Sequence, residues 1–227
     1  MTDIIELNNH KVQIKKRKGQ RHLRLRISTN GTAVLSTPNR FPSYLAKAYL
    51  KSKLDWLDKH TFENKLIKHG SKLFTNQMIT IKSQAHKRNK VILGGGELIF
   101  FLSGREDDPK AQKYMADKIQ KLYQEELTKI IDKRLRYFSE KTGLTYSVFQ
   151  VKNLRSKWGS CDRHKRLSFS LYLIGQEIGL IDYVVMHELV HTKYMNHQPR
   201  FWSCVEEYMP DYKQRRATLK DKKMLLI

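Results

Sequence analysis

The residues able to do chemistry are concentrated in one stretch, HELVHTKYMNHQPRFW, from His187 to Trp202. His187 and His191 are four apart, which on a helix puts both imidazoles on one face, one turn apart and close enough to share a metal ion. Glu188 stands beside the first histidine, where its carboxylate reaches a metal-bound water without ligating the ion. His197 follows six residues after His191, just past Asn196, a residue type that tolerates left-handed backbone. A helix that stops there lets the chain fold back and present His197 as a third ligand. Three neutral imidazoles suit Zn2+, one per chain, and a fourth position left to water belongs to catalytic rather than structural zinc. Zinc lowers the pKa of such a water toward about 7, and Glu188 is the candidate base that accepts its proton and later passes it to the leaving group. Ile181, Val184, Val185 and Leu189 give the same segment an apolar face, so the helix is expected to be buried. Burying three histidines and a glutamate is costly unless something binds them.

The spacing HExxHxxxxxH also occurs in metzincin proteases, whose pattern has a glycine three residues after the second histidine. Tyr194 occupies that position here, and no Met-turn is recognisable, so the chain is not placed among them.

The elements that must hold this stretch are legible around it. Asp107-Asp108-Pro109 is a helix-start signal, and apolar residues from Met115 to Phe138 recur at helical spacing until Gly143. LTYSVFQVKN (144–153) and RLSFSLYLI (166–174) read as strands joined by LRSKWGSCDRHK, and a helix is expected from Ile178 to Met195. Upstream, Val12–Ile27 reads as a basic hairpin around Gly19, with Arg24 and Arg26 alternating with Leu23, Leu25 and Ile27. Thr32–Pro38 is a further strand after the turn Asn30-Gly31, Pro42 to Lys68 a helix, and MITIKS, KVILGG and ELIFFLSG supply more strands. The best domain cut lies near residue 105, separating a basic β-rich N-terminal region with one helix (1–105) from a catalytic domain (106–227).

Composition narrows the class. Hydrophobic residues make up 40% of the 227, enough for a core, and Lys and Arg total 44 against 22 acids, a net charge of +22. The excess is uneven, 21 basic against 6 acidic residues in 1–105 and 23 against 16 in 106–227. Such a surface attracts polyanions: nucleic acid, nucleotide phosphates, anionic membrane or an acidic protein. The start MTDIIELNNH carries acids where a secretory signal needs a basic, then apolar, stretch, and no apolar run is long enough to span a bilayer. Cys161 and Cys204 form no CxxC and no disulfide framework. The expected setting is the cytoplasm, with no membrane partner.

Two segments, RSKWGSC (155–161) and IDYVVMHELVHTKYMNHQPRFW (181–202), followed by MPDYKQRRATLK (209–220), resemble the YgjP-like metallopeptidase family, relatives of the SprT and WLM proteases. The resemblance implies an α+β fold: a minimal zincin-like domain of a long helix, a β-hairpin or small sheet and an HExxH helix, preceded by a β-rich region. It implies zinc-dependent hydrolysis, with His187, His191 and His197 as metal ligands and Glu188 as base. An asparagine is expected near Ser170, where this chain has serine.

In zincins an edge strand near the metal aligns an extended peptide by backbone pairing. Val148–Asn153 or Arg166–Leu173 are the candidates, and Arg155, Lys157 and Trp158 are candidate substrate-binding residues. Any of Tyr183, Tyr194, Tyr208 and Tyr212 is close enough in sequence to hydrogen-bond an oxyanion. The leading reading is therefore a zinc metallopeptidase acting on a peptide or protein. The alternatives are a metal-dependent nucleotide (NTP) pyrophosphatase, and a nucleic-acid-associated protein with a structural metal site that binds through the basic N-terminal hairpin.

Overall fold

A computed structural model describes residues 3–8, 10–27, 32–60, 66–84, 88–222 and 224. The expected turn Asn30-Gly31 and positions 61–65 of the expected helix fall outside them. Two compact units result, Met1–Lys65 and Leu66–Ile227, so the division falls forty residues before the cut read from sequence. The reason is visible in the second core. Ile67, Leu73, Ile79, Leu98, Phe100 and Leu102 are buried in one cluster with the residues of the long helix that follows them.

In the first unit, β1 (Asp3–Leu7) pairs antiparallel with β2 (His10–Arg17). β3 (Arg24–Ile27) and β4 (Ala33–Pro38) complete a sheet of order β1-β2-β4-β3. β2 and β3 are not the expected hairpin, because β4 lies between them, parallel to β2 and antiparallel to β3. The burial pattern explains this: five consecutive residues of β4 are buried, as a central strand requires, whereas β2 and β3 each keep an exposed basic face. The expected helix is two, α1 (Ser43–Lys51) and α2 (Leu54–His60), with Ser52 donating its hydroxyl to Tyr49 O where the first ends. Ala46, Leu50 and Leu57 pack on Val12, Ile14 and Leu35.

The second unit is built on α3 (Pro109–Thr142), whose first turn is capped by Asp108 accepting from Lys110 N at 2.7 Å. Such a cap stabilises by about 1 kcal/mol. Apolar residues every third or fourth position, from Ala111 to Phe138, form its buried stripe. One sheet consists of β5 (Met78–Ser83), β6 (Lys90–Gly94) and β7 (Glu97–Leu102), in the order β5-β7-β6. The other consists of β8 (Val148–Lys152), β9 (Gly159–Cys161) and β10 (Arg166–Ser170), in the order β8-β10-β9. The two strands expected around LRSKWGSCDRHK are thus parallel, and the connection between them supplies its own strand, which makes the hairpin with β10. A 3₁₀ helix (Leu171–Gly175) leads to α4 (Ile178–Val190), α5 (Pro199–Tyr208) and α6 (Tyr212–Asp221). Ser170, where an asparagine is expected, is fully buried and donates to Leu154 O at 2.6 Å, closing the loop between β8 and β9.

The class is α+β as expected, and the second unit has the expected long helix (α3), small sheet and helix carrying HExxH (α4). Arg134 of α3 grips Asp182 of α4 with two hydrogen bonds, the longer 2.8 Å, which sets the rotation of α4 on its support. From α6, Arg215 donates to Gly179 O at 2.6 Å, tying down the first turn of α4. Among the described residues no helix is long and apolar enough to cross a membrane.

Candidate metal centre

α4 ends five residues earlier than its periodicity suggests, with His191 as its C-cap. The tight turn that follows, closed by Tyr194 N to Val190 O at 2.9 Å, reverses the chain toward α5. This brings the carbonyl of Tyr194 to 3.0 Å from His191 Nδ1, so a neutral His191 carries its proton there and turns Nε2 outward. The reversal also returns His197, and its Nε2 lies 3.0 Å from that of His187. One ring nitrogen from each of His187, His191 and His197 lies within 4.8 Å of the others. Phe201, fully buried on α5, is the floor beneath them, with its ring 4.9, 4.5 and 4.8 Å from the three imidazoles.

Burial and neighbouring charges hold the three histidines in the form that can ligate a metal. Burial, then the neighbouring histidines and Arg216, push His187 down to about 3. Burial also lowers His191 and His197. All three are neutral near pH 7, the state in which imidazole ligates. Glu188, next to them, is 5% exposed, and burial pushes its carboxyl up to about 8 against the opposing pull of Lys157. Its Oε2 is buried with no hydrogen-bond partner, as is His187 Nδ1. Orphaned atoms of this kind cost about 1–3 kcal/mol each. Three neutral nitrogen donors, one with its tautomer fixed from behind by a carbonyl, beside a buried carboxyl with an unpartnered oxygen, fit a divalent metal ion.

β9 is the wall opposite. A Cβ built on Gly159 lies 2.6 Å from Glu188 Oε1 and 2.7 Å from its Cγ, so only glycine lets this strand lie against the carboxylate. A cleft of about 310 Å³ opens there. Of the candidate substrate-binding residues, Lys157 and Trp158 line it, and Arg155 does not; Arg155 is hydrogen-bonded to the Tyr172 side chain instead. Tyr183 lines the cleft too, its phenol held protonated by burial, which pushes it up to about 12. Cys161 packs against the core, and burial, Glu188 and Asp162 push its thiol up to about 11, a structural thiol rather than a reactive one.

Several contacts of this site were not legible in the sequence. Trp202 donates Nε1–H to His197 O at 3.1 Å and stacks on the His197 ring at 5.4 Å. Tyr212 stacks on Trp202 at 5.3 Å, and the Arg216 guanidinium lies 4.6 Å from the Trp202 ring centre. Gly159, Trp202 and Arg216 sit in motifs noted for resemblance, but their contacts join segments far apart in the chain, and no local pattern signals them.

An HExxH helix with a third histidine returned by a turn is an arrangement used by metal-dependent hydrolases. The sequence profile of the "YgjP-like, metallopeptidase domain" family matches residues 21–222, so the chain belongs to the YgjP-like metallopeptidase family. No curated protein matches it. Among solved structures, the metallopeptidase zymogen jannalysin of Methanocaldococcus jannaschii is 20% identical, with a TM-score of 0.36 over 39% of this chain and 92% of that one. The metallopeptidase zymogen abylysin of Pyrococcus abyssi is 19% identical, with a TM-score of 0.37 over 42% of this chain and 99% of that one. Likenesses of this size carry no weight for the site.

Proposed function

We propose that the chain is a zinc-dependent peptidase in which His187, His191 and His197 hold one ion and Glu188 is the general base. The observation that carries this is the gathering of three neutral imidazoles beside a buried carboxylate oxygen that has no partner. A zinc ion held there would act as a Lewis acid, activating water near neutral pH and polarising a carbonyl. The added positive charge also favours the ionised form of Glu188, converting a protonated acid into a base. Glu188 then takes a proton from the attacking water and returns it to the leaving amine nitrogen. Tyr183, protonated and in the cleft, is the best-placed of the four tyrosines to donate to a developing oxyanion.

The peptide is aligned along β9. β10 is paired on both sides, by β8 and β9, so Arg166–Leu173 has no free edge to offer. β9 is an edge strand in contact with Glu188, which supports it over Val148–Asn153 as the strand that an extended substrate joins.

Replacing Glu188 by Gln keeps the donor set and removes the base. In the zinc-loaded protein, E188Q should retain the metal and lose turnover of a peptide substrate by on the order of 10³-fold. Full turnover by E188Q would remove this mechanism. The nucleotide reading keeps the same donor set and draws support from Lys157, Arg216 and Lys220 beside the cleft; pyrophosphate release from a nucleoside triphosphate, absent in H191A, separates it from the peptidase. In the first unit, Lys15 and Arg24 flank Ser36 across β4 and are exposed, which supports a further contact with nucleic acid. Such binding should weaken steeply with salt.

A further inference from the structure

The cleft beside Glu188 has a one-sided wall. Lys157, Arg216 and Lys220 line it, and Glu188 is the one carboxylate among its lining residues. Arg216 and Lys220 are four apart on α6 and so share a face one turn apart. An adjoining groove of about 610 Å³ continues along that face, adding Lys213 and no acid. The other cations of α6 are engaged elsewhere. Lys213 pairs with Glu206 at 3.1 Å, and Arg215 turns to Asp211 at 2.8 Å and to α4. Among the described residues, Lys157, Arg216 and Lys220 have no acidic side chain at ion-pair distance. Arg216 is held in place by the Trp202 ring instead of by a carboxylate. Three cations collected around one protein carboxylate, with their own counter-charges absent, leave a deficit of negative charge that a bound group can fill. The rest of the lining decides what kind of group. Trp158, Val184 and Leu219 give the cleft an apolar floor, and this suits a carboxylate carried on a short hydrocarbon stem.

Resting on the peptidase reading above, we propose that this wall takes an acidic side chain of the substrate, so that the enzyme selects peptides with Asp or Glu close to the cleaved bond. Lys157 approaches from the β9 side and Arg216 with Lys220 from α6, so a peptide laid along β9 passes between them. Lys157 and Arg216 are specificity-determining residues in this account, and neither takes part in bond breaking.

The test uses the full-length, zinc-loaded E188Q protein and pairs of peptides that differ only in Glu against Gln, read by fluorescence anisotropy. The Glu peptide should bind about tenfold more tightly at low salt, the order of one or two partly screened ion pairs, and the gap should close as salt is added. R216Q with K220Q should erase the preference, and R216E with K220E should turn it toward a Lys peptide. Equal Kd values for the pair at low salt would overturn the inference. So would a nucleoside triphosphate bound at the wall and hydrolysed by the wild type while neither peptide binds, an outcome that assigns the cations to phosphate. Cleavage by the wild type is read in parallel. Cleavage of both peptides at equal rates overturns the inference and leaves the peptidase reading standing, whereas cleavage of neither overturns both.

Discussion

The sheets β5-β7-β6 and β8-β10-β9 follow the same path through the second unit, and only one of them borders the histidines. In each, the first strand runs parallel to the third and the second returns antiparallel to it, so β6 and β9 are equivalent edge strands. β6 leaves Ile92 and Leu93 40% and 53% exposed, and a Cβ on its Gly94 meets nothing within 4 Å. All three residues of β9 are half-buried, and its Gly159 touches Glu188. The strand path alone therefore carries no chemistry. What differs is the neighbour: β9 lies against the helix that presents Glu188.

The sharpest way to break this comparison is to add one methyl group to each edge. G159A forces Glu188 or β9 to move, and should cost about 1–3 kcal/mol of stability and about 10²-fold in turnover, because the proposed base is displaced. G94A meets open space and should stay within about 0.5 kcal/mol with activity unchanged. Chemical denaturation and a peptide-cleavage assay read both. Equal effects in the two variants would show that the contact at Gly159 does not matter.

The pH dependence of the metal-free protein sharpens the same point. Glu188 is raised to about 8 from an ordinary 4.5, so its contribution is complete below pH 4.5 and is lost as pH rises toward 8. His187, lowered to about 3 from 6.5, works the other way, with its contribution complete above pH 6.5 and lost as pH falls. His191 and His197 share that sign. Between pH 6.5 and 8 only Glu188 among these groups is still changing, and the chelator-treated protein should lose about 2 kcal/mol across that window. Thermal melts against pH should show the fall in the wild type and not in E188Q. A fall of the same size in E188Q would assign it elsewhere.

A smaller effect tests the support behind the third histidine. W202F keeps an aromatic ring against His197 and removes the N–H donated to His197 O. Metal affinity, measured by competition with a chromogenic chelator, should weaken about tenfold while the fold is retained. Unchanged affinity would leave the indole with a packing role only.

These contrasts also mark what the sequence makes legible. α3 and α4 are readable because a buried stripe on a long helix imposes a period over many residues, and the candidate ligands because two of them share one helical turn. The same periodicity misses the end of α4, where apolar spacing runs on to Met195 while the backbone turns at His191. β9 carries no strand signal at all. Gly, Ser and Cys are extended there because β10 pairs with them. The supposed hairpin of Val12–Ile27 fails for the mirror reason, since the strand between its arms comes later in the chain and is recognisable only by its uninterrupted burial. Arg155 and Lys157 look alike in RSKWGSC, and only the fold turns one to Tyr172 and the other to the cleft. Gly159 against Glu188 and Arg216 over Trp202 are meetings of distant segments, which no local pattern encodes.

The most direct test of the account is the metal content of the protein, purified untagged without added metal and measured by elemental analysis beside H191A. The account predicts about one zinc per chain in the wild type and its loss in H191A, where one of the three gathered nitrogens is gone. No bound metal in the wild type even after reconstitution, or the same zinc content in H191A, would contradict it.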